Sequence, residues 1–378
     1  METNSPWLPY SEYINRIIFT APIEPGSYIS SLFRGLENVQ SIEGLANINT
    51  TNVTGMNAMF LGASNLTSVE GLSNWDTSNV TRMDFMFSGA SSLTHVDLSN
   101  WDTSSVTTMD RMFVNASSLQ SLDLANWNTS SVTDMSQMFS RASSLTSVGD
   151  ISHWDTSNVR YMFSMFQYTS SLNSLDLSSW DVGSAVNMSN MFRSSGVTTI
   201  GNVSMWNTRN VTNMSNMFMG ASRLVQLDLT GWDARSVNNM AFMFSDTSSL
   251  TSVGDLSAWD TRNVTNMERM FRNASQLTSL YLSGWDMTGA MNTFQMFSGA
   301  TSLNTLGLGA NFRFNVSGSS TLPTVPSNAM FTGRWQNVGV GTPSIPMGEY
   351  VLTSQELMDM YRNAETTVTD IWVWQTVS

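Results

Sequence analysis

The sequence predicts a repeat solenoid, a stack of about ten short coils, on three observations. Trp75, Trp101, Trp127, Trp154, Trp180, Trp206, Trp232, Trp259 and Trp285 recur every 26 or 27 residues, each followed by Asp or Asn. Upstream of most of these tryptophans the apolar residues alternate with polar ones; downstream, a Val and a Met-x-x-Met-Phe segment recur at near-helical spacing. A chain of 378 residues would ordinarily be divided into two or three domains, but a fixed internal period means that each unit packs on its neighbours.

Residues 1–38 depart from the repeat and read as an N-terminal cap. They carry INRIIFTAPI, a strand pattern, and Leu32-Phe33 as a vestige of the Met-Phe pair. Ten units of 26 or 27 residues fill 39–302. The full unit, LQSLDLANWNTSSVTDMSQMFSRASS from Leu119 to Ser144, opens with LQSLDL, whose period of two fits a short strand and the first half of a leucine-rich repeat. Val132, Met135, Met138 and Phe139 then fit one or two turns of α- or 3₁₀-helix, with a second short strand around Val-Thr as the alternative. The expected fold is a leucine-rich-repeat-like right-handed solenoid. It has a parallel sheet on one face and short helical turns or short strands on the other, closed at both ends because an open stack exposes edges and core. Nineteen of the 28 Met fall in the two Met columns, so the Met content is core repetition, with ten Phe beneath. Where the period is 27, Gly71, Gly149 and Gly254 permit a bulge before the Trp. Residues 303–378 read as a last partial coil and C-terminal cap, in which Thr353 and Glu356 have capping-box spacing for a helix.

Composition narrows the function. A net charge of −13 argues against nucleic acid, which draws on clustered cations. All 16 basic residues are Arg, so Schiff-base chemistry is excluded, and the absence of Cys excludes disulfides and thiol nucleophiles. No stretch is long and apolar enough to insert in a membrane, and METNSPWLPY lacks an export signal, so a leader or anchor is expected outside this sequence. His95 and His153 lie at non-equivalent positions and no triad spacing occurs, so no enzyme activity and no cofactor are expected.

The unit LTSVGDLSAWDTRNVTNMERMFRNASQ, Leu250 to Gln276, closely resembles the 26-residue repeats of BspA-like bacterial surface proteins, over residues 39–302. The tail is similar as well, in Gly333-Arg334-Trp335-Gln336, TSQEL and Trp372-Val373-Trp374. The resemblance implies an exported cell-surface protein whose repeats mediate adhesion to a host or extracellular protein, mucin or glycan. Asn128 and Asn207 replace the usual Asp. The alternative is a structural spacer projecting another domain from the cell wall. The chain is expected to be a monomer.

Outward residues at one repeat position form ladders, so departures from the consensus mark candidate sites. Glu70, Asp97, Asp123, Asp150, Asp176, Asp228 and Asp255 form a carboxylate column in which proximity should raise pKa values. Calcium is one reading, with Asp97, Asp123, Asp150 and Asp176 as ligands; bonding to backbone and Ser or Thr is the other. Tyr281 interrupts this column and joins the ligand-binding candidates. Asp76, Asp102, Asp155, Asp181, Asp233, Asp260 and Asp286 read as turn residues. Arg209, Arg235 and Arg262 replace Ser in three successive coils, either to grip an anionic ligand or to pair with Asp233 and Asp260. Phe85, Phe163, Phe242 and Phe294 either anchor an interface or tuck against the adjacent coil. The Thr after each Asp or Asn, such as Thr77 and Thr103, admits a flat ice-binding array.

Overall fold

The computed structural model describes residues 5–289, 292–314, 321–362 and 368–377; parts of both expected caps lie outside these. The chain forms two compact units, Met1–Asn187 with Met191–Gly201, and Met188–Asn190 with Asn202–Ser378. Each is a leucine-rich-repeat-like solenoid.

In the first unit, β1 (Arg16–Ile18), β2 (Ser41–Glu43) and β3 (Ser68–Val69) pair in parallel, Arg16 beside Ser41 and Ser41 beside Ser68. Their counterparts in later coils make single parallel bridges, as at Ser121 with Ser147 and Ser174 with Thr199. The alternative of a short strand at Val-Thr is realised more continuously: Tyr28, Gly55, Arg82, Thr108, Asp134, Tyr161 and Asn187 bridge in succession.

The Met-Phe segment is not a helix. Met112, Val114 and Ala116 donate their N–H groups to Met109, Arg111 and Phe113, closing three overlapping β-turns. Arg111 (φ 54°) and Asn115 (φ 58°), third residues of the first and last turns, are left-handed. Type II turns require this conformation, and helices exclude it. The intervening N–H groups of Met109, Arg111, Phe113 and Asn115 reach the next coil, at the carbonyls of Asp134, Ser136, Met138 and Ser140, 2.8–3.0 Å away. Met-x-x-Met-Phe spacing therefore suits both structures. The turns win because they place four bonds per coil between coils, where a helix would keep them within one.

These bonds hold the core in rows. Phe33, Phe60, Phe87, Phe113, Phe139, Phe166 and Phe192 stack at 5.0–5.8 Å between centroids and within 20° of parallel. Each buried Trp also needs an acceptor for its indole N–H. Trp75, Trp101, Trp127, Trp154 and Trp180 donate to Leu45, Leu72, Leu98, Leu124 and Ile151 of the preceding coil at 2.9–3.2 Å. This explains why the Trp spacing is kept. The bulge glycine is required at Gly149 (φ 78°), where a Cβ would lie 2.9 Å from Asp123 Oδ1.

The second unit repeats the scheme, with Phe218, Phe244, Phe271 and Phe297 stacked and Trp232, Trp259 and Trp285 donating to Val203, Leu229 and Leu256. Beyond them, β4 (Ser279–Leu282) pairs in parallel with β5 (Thr305–Leu308). Then β6 (Phe331–Asn337), β7 (Val351–Leu352) and β8 (Asp370–Thr376) complete a five-stranded sheet. Its order is β4-β5-β8-β6-β7, antiparallel from β5 onward. Helix α1 (Ser354–Met360) begins with the expected capping box: Glu356 N donates to Thr353 Oγ1 and Thr353 N to Glu356 Oε2.

Candidate functional site

Many polar side chains on the surface of a coil are tied down by nearby backbone. In the carboxylate column, Oδ1 of Asp97, Asp123, Asp150 and Asp176 accepts the N–H two residues on, from Ser99, Ala125, Ser152 and Ser178. The Ser99 and Ser178 hydroxyls add bonds of 2.7 and 2.6 Å. The expectation of mutually raised pKa values is corrected here. The carboxyls of Asp97, Asp150 and Asp176 are held below the ordinary range, first by the serine hydroxyl two residues on and then by the same residue's N–H. These local bonds outweigh repulsion along the column, which at Asp176 is the weakest contribution. Among the described residues no group of three or more His, Asp or Glu converges to hold a metal ion.

The Asp column after the Trp behaves as turn residues should. Asp76, Asp102, Asp155, Asp181, Asp233, Asp260 and Asp286 all accept from the residue two on. The adjoining threonines overturn the ice-binding option. Thr77, Thr103, Thr129, Thr156, Thr208 and Thr261 are at most 1% exposed, and their hydroxyls donate to carbonyls of the next coil. A buried row offers no flat face to ice.

Arg209, Arg235 and Arg262 are all exposed, in two different electrostatic situations. Arg235 pairs with Asp233 at 2.7 Å, and Arg262 grips Asp260 through two bonds of 2.9 and 2.6 Å. The hydrogen bonds between them raise the pKa of Arg262 and lower that of Asp260. Arg209 has Asn207 where the others have Asp, and among the described residues its guanidinium has no partner. Tyr281 lies on β4, half-buried, opposite Gly307 of β5. Phe85, Phe242 and Phe294 are half-buried beneath arginines, Arg111 over Phe85 at 5.1 Å and Arg269 over both Phe242 and Phe294 at 5.5 and 5.1 Å. They tuck against the adjacent coil; Phe163 is half-buried too.

One carboxylate stands apart. Asp110, between Asp84 and Asp134 of the flanking coils, bonds Arg111 at 3.0 Å, while its buried Oδ1 has no partner among the described residues. Burial pushes its pKa up to about 6; Arg111 opposes this, and Asp134 and Asp84 add to it.

A second arrangement escapes column reading of the sequence. In the first unit, Asn115, Arg141, Tyr168 and Ser194 join the row Ser91, Ser117, Ser143 and Ser170 around a cleft of about 560 Å³. Each serine of the row donates its hydroxyl to the preceding coil, Ser117 to the Ser91 carbonyl and Ser143 to that of Ser117. Arg141 lies over the Tyr168 ring at 4.8 Å, and Arg193 is 5.7 Å from it. The available signal was that Arg141 (φ 63°) and Tyr168 (φ 58°) occupy the left-handed position that Gly62, Gly89 and Asn115 fill elsewhere.

Among solved structures the chain is similar to three bacterial proteins. With a leucine-rich cell surface protein of Faecalibacterium prausnitzii it shares 15% identity over 78% of this chain and 87% of that one, with a TM-score of 0.31. A leucine-rich repeat protein of Bacteroides ovatus gives 13%, 76%, 85% and 0.26. One of Leptospira interrogans gives 12%, 74%, 72% and 0.28. No curated protein matches the sequence. The profile described as "Mycoplasma protein of unknown function, DUF285" matches residues 27–144, 116–199 and 194–309, in agreement with the BspA-like resemblance of the repeats, and the chain belongs to that family.

Proposed function

We propose that the chain is an adhesin module of a bacterial cell surface, binding a host or extracellular protein, mucin or glycan through the faces of its coils. The observation that carries this reading is the division of labour within each coil. The recurring apolar residues are spent on the core, and what varies outside is a set of polar side chains on a backbone tied to both neighbours. Arg209 exemplifies the variation: it departs from the consensus, is exposed and, among the described residues, has no carboxylate paired with it. Such preorganised groups lose little freedom on binding, and many weak contacts along a repeat add up to useful affinity. Arg235 and Arg262 supply carboxylate-paired neighbours, and Tyr281 an aromatic edge.

An array of matrix proteins, mucins and glycans probed with this chain tests the proposal. Saturable binding to at least one extracellular ligand is expected, weakened by Arg209→Ser if the Arg column takes part. A chain that binds nothing on the array would be behaving as the spacer.

A further inference from the structure

Resting on the binding-module reading, we infer that the cleft of the first unit around Arg141 and Tyr168 is a site for an anionic saccharide, carboxylated or sulfated. The argument starts from charge. The chain carries 29 acidic residues against 16 arginines, yet not all of those arginines have a carboxylate close by, so where a bare guanidinium sits decides what it can bind. Arg16, Arg82, Arg111, Arg235, Arg262, Arg269, Arg334 and Arg362 all have one within 3.3 Å. Arg141 is exposed, forms no ion pair and no side-chain hydrogen bond among the described residues, and its guanidinium lies over the Tyr168 ring. No residue lining the cleft is acidic.

The ring restrains the cation. Arg141 lies over the Tyr168 ring of the next coil, and a flexible side chain held in this way needs less ordering when an anion arrives. Guanidinium groups match carboxylate and sulfate oxygens with paired donors. The serines specify the rest of the ligand. Ser117, Ser143 and Ser170 spend their hydroxyl hydrogens on the carbonyls of Ser91, Ser117 and Ser143, leaving oxygen lone pairs that can only accept. A ligand complementary to this lining carries negative charge at one end and several O–H donors beside it. Acidic sugars combine the two. The volume of about 560 Å³ is that of a small-ligand cleft and accommodates one or two sugar rings.

The test is calorimetric or NMR titration of the whole chain with four probes: a uronic-acid tetrasaccharide, a sulfated heparin-type tetrasaccharide, a neutral chitotetraose and a poly-glutamate peptide. Arg141→Asn suits the left-handed backbone at this position, so folding should survive, which thermal unfolding checks. At least one acidic sugar should bind and shift Asn115 and Tyr168 resonances, weaken on the order of tenfold in Arg141→Asn, and be unaffected by Arg160→Ser, an exposed cation elsewhere in the unit. Comparing the two acidic sugars separates carboxylate from sulfate recognition. Equal binding of poly-glutamate, equal binding of the neutral sugar, or unchanged affinity in Arg141→Asn would overturn the assignment. If the chain binds an array ligand but neither acidic sugar, the cleft assignment fails while the module reading stands. If it binds nothing in either experiment, both fail.

Discussion

The coils and the C-terminal segment use the same aromatic residues in opposite ways. In the coils, rings stack in parallel, Phe87 on Phe113 within 1° and Phe113 on Phe139 within 2°. In the C-terminal segment they meet edge to face: Phe331 with Trp374 at 83°, Trp335 with Trp374 at 79°, Tyr361 with Trp372 at 83°. Isolated aromatic pairs favour the edge-on or offset arrangement because ring faces are negative and edges positive. Both arrangements are thus favourable, and it is translation that selects the parallel one in the coils. A ring repeated every 26 or 27 residues on a backbone locked to its neighbours must lie parallel to its copies. Where the repeat ends, rings are free to meet edge-on, and ring-bearing side chains bond to one another. Tyr361 donates to the Val368 carbonyl and accepts from Trp372 Nε1, both at 3.1 Å, and burial pushes its pKa up to about 12.

The comparison can be broken most severely by truncating one ring of each kind. Phe113→Ala and Trp372→Ala should each cost about 3–5 kcal/mol in chemical denaturation followed by tryptophan fluorescence. Phe113 should lie at the upper end, because both neighbouring coils are fixed by backbone bonds and cannot close the hole. A cost typical of surface positions would show that the stack contributes little.

A smaller effect separates a tense part of the coil surface from its relaxed remainder. Asp110 has a folded pKa of about 6, raised above the ordinary carboxylate value, so its contribution to stability is full below about pH 4 and is lost as pH rises through 6. Asp110→Asn should be the more stable form at pH 7, by roughly 3 kcal/mol at most after loss of the Arg111 pair, with the difference vanishing near pH 4. Thermal unfolding across that range reads it, and a constant difference would exclude titration as the cause. Asp97 and Asp176 run the other way: their depressed pKa values support the fold above the ordinary carboxylate range and cease to do so as pH falls through the folded values.

The smallest change expected is at the relaxed surface. Ser99→Ala should alter stability by no more than about 0.5 kcal/mol, yet move the Asp97 titration, followed by carboxyl NMR, up toward the ordinary value. An unmoved Asp97 would mean that the column, and not the local bond, sets its protonation.

The period, the core columns and the capping box at Thr353 could be read from the sequence because each rests on spacing alone. The Met-Phe segment could not be settled that way, since Met109, Met112 and Phe113 face the core equally well from a helix or from overlapping turns. The decisive signal was elsewhere in the unit, in Gly62, Gly89, Asn115, Gly220 and Asn273 at one position where the backbone turns left-handed. The pairing of Arg235 and Arg262 was legible, because an Asp stands two residues before each. The Arg141 and Tyr168 cleft was not, because it forms between two columns, that of Asn115, Arg141, Tyr168 and Ser194 and that of the serines, whose closeness in space no spacing within a single column shows.

The overlapping turns also have an electrical consequence. Within each unit the peptide groups of this segment point one way. The 136–137 group accepts from Arg111 of the coil before and donates to Phe163 of the coil after, and the 138–139 group does the same with Phe113 and Met165. Four such groups per coil, repeated down the stack, add their dipoles head to tail as a helix does along its axis. Each unit is thus polarised, with carbonyl oxygens facing toward lower residue numbers and N–H hydrogens toward higher ones, so anions are favoured at the later end of these rows.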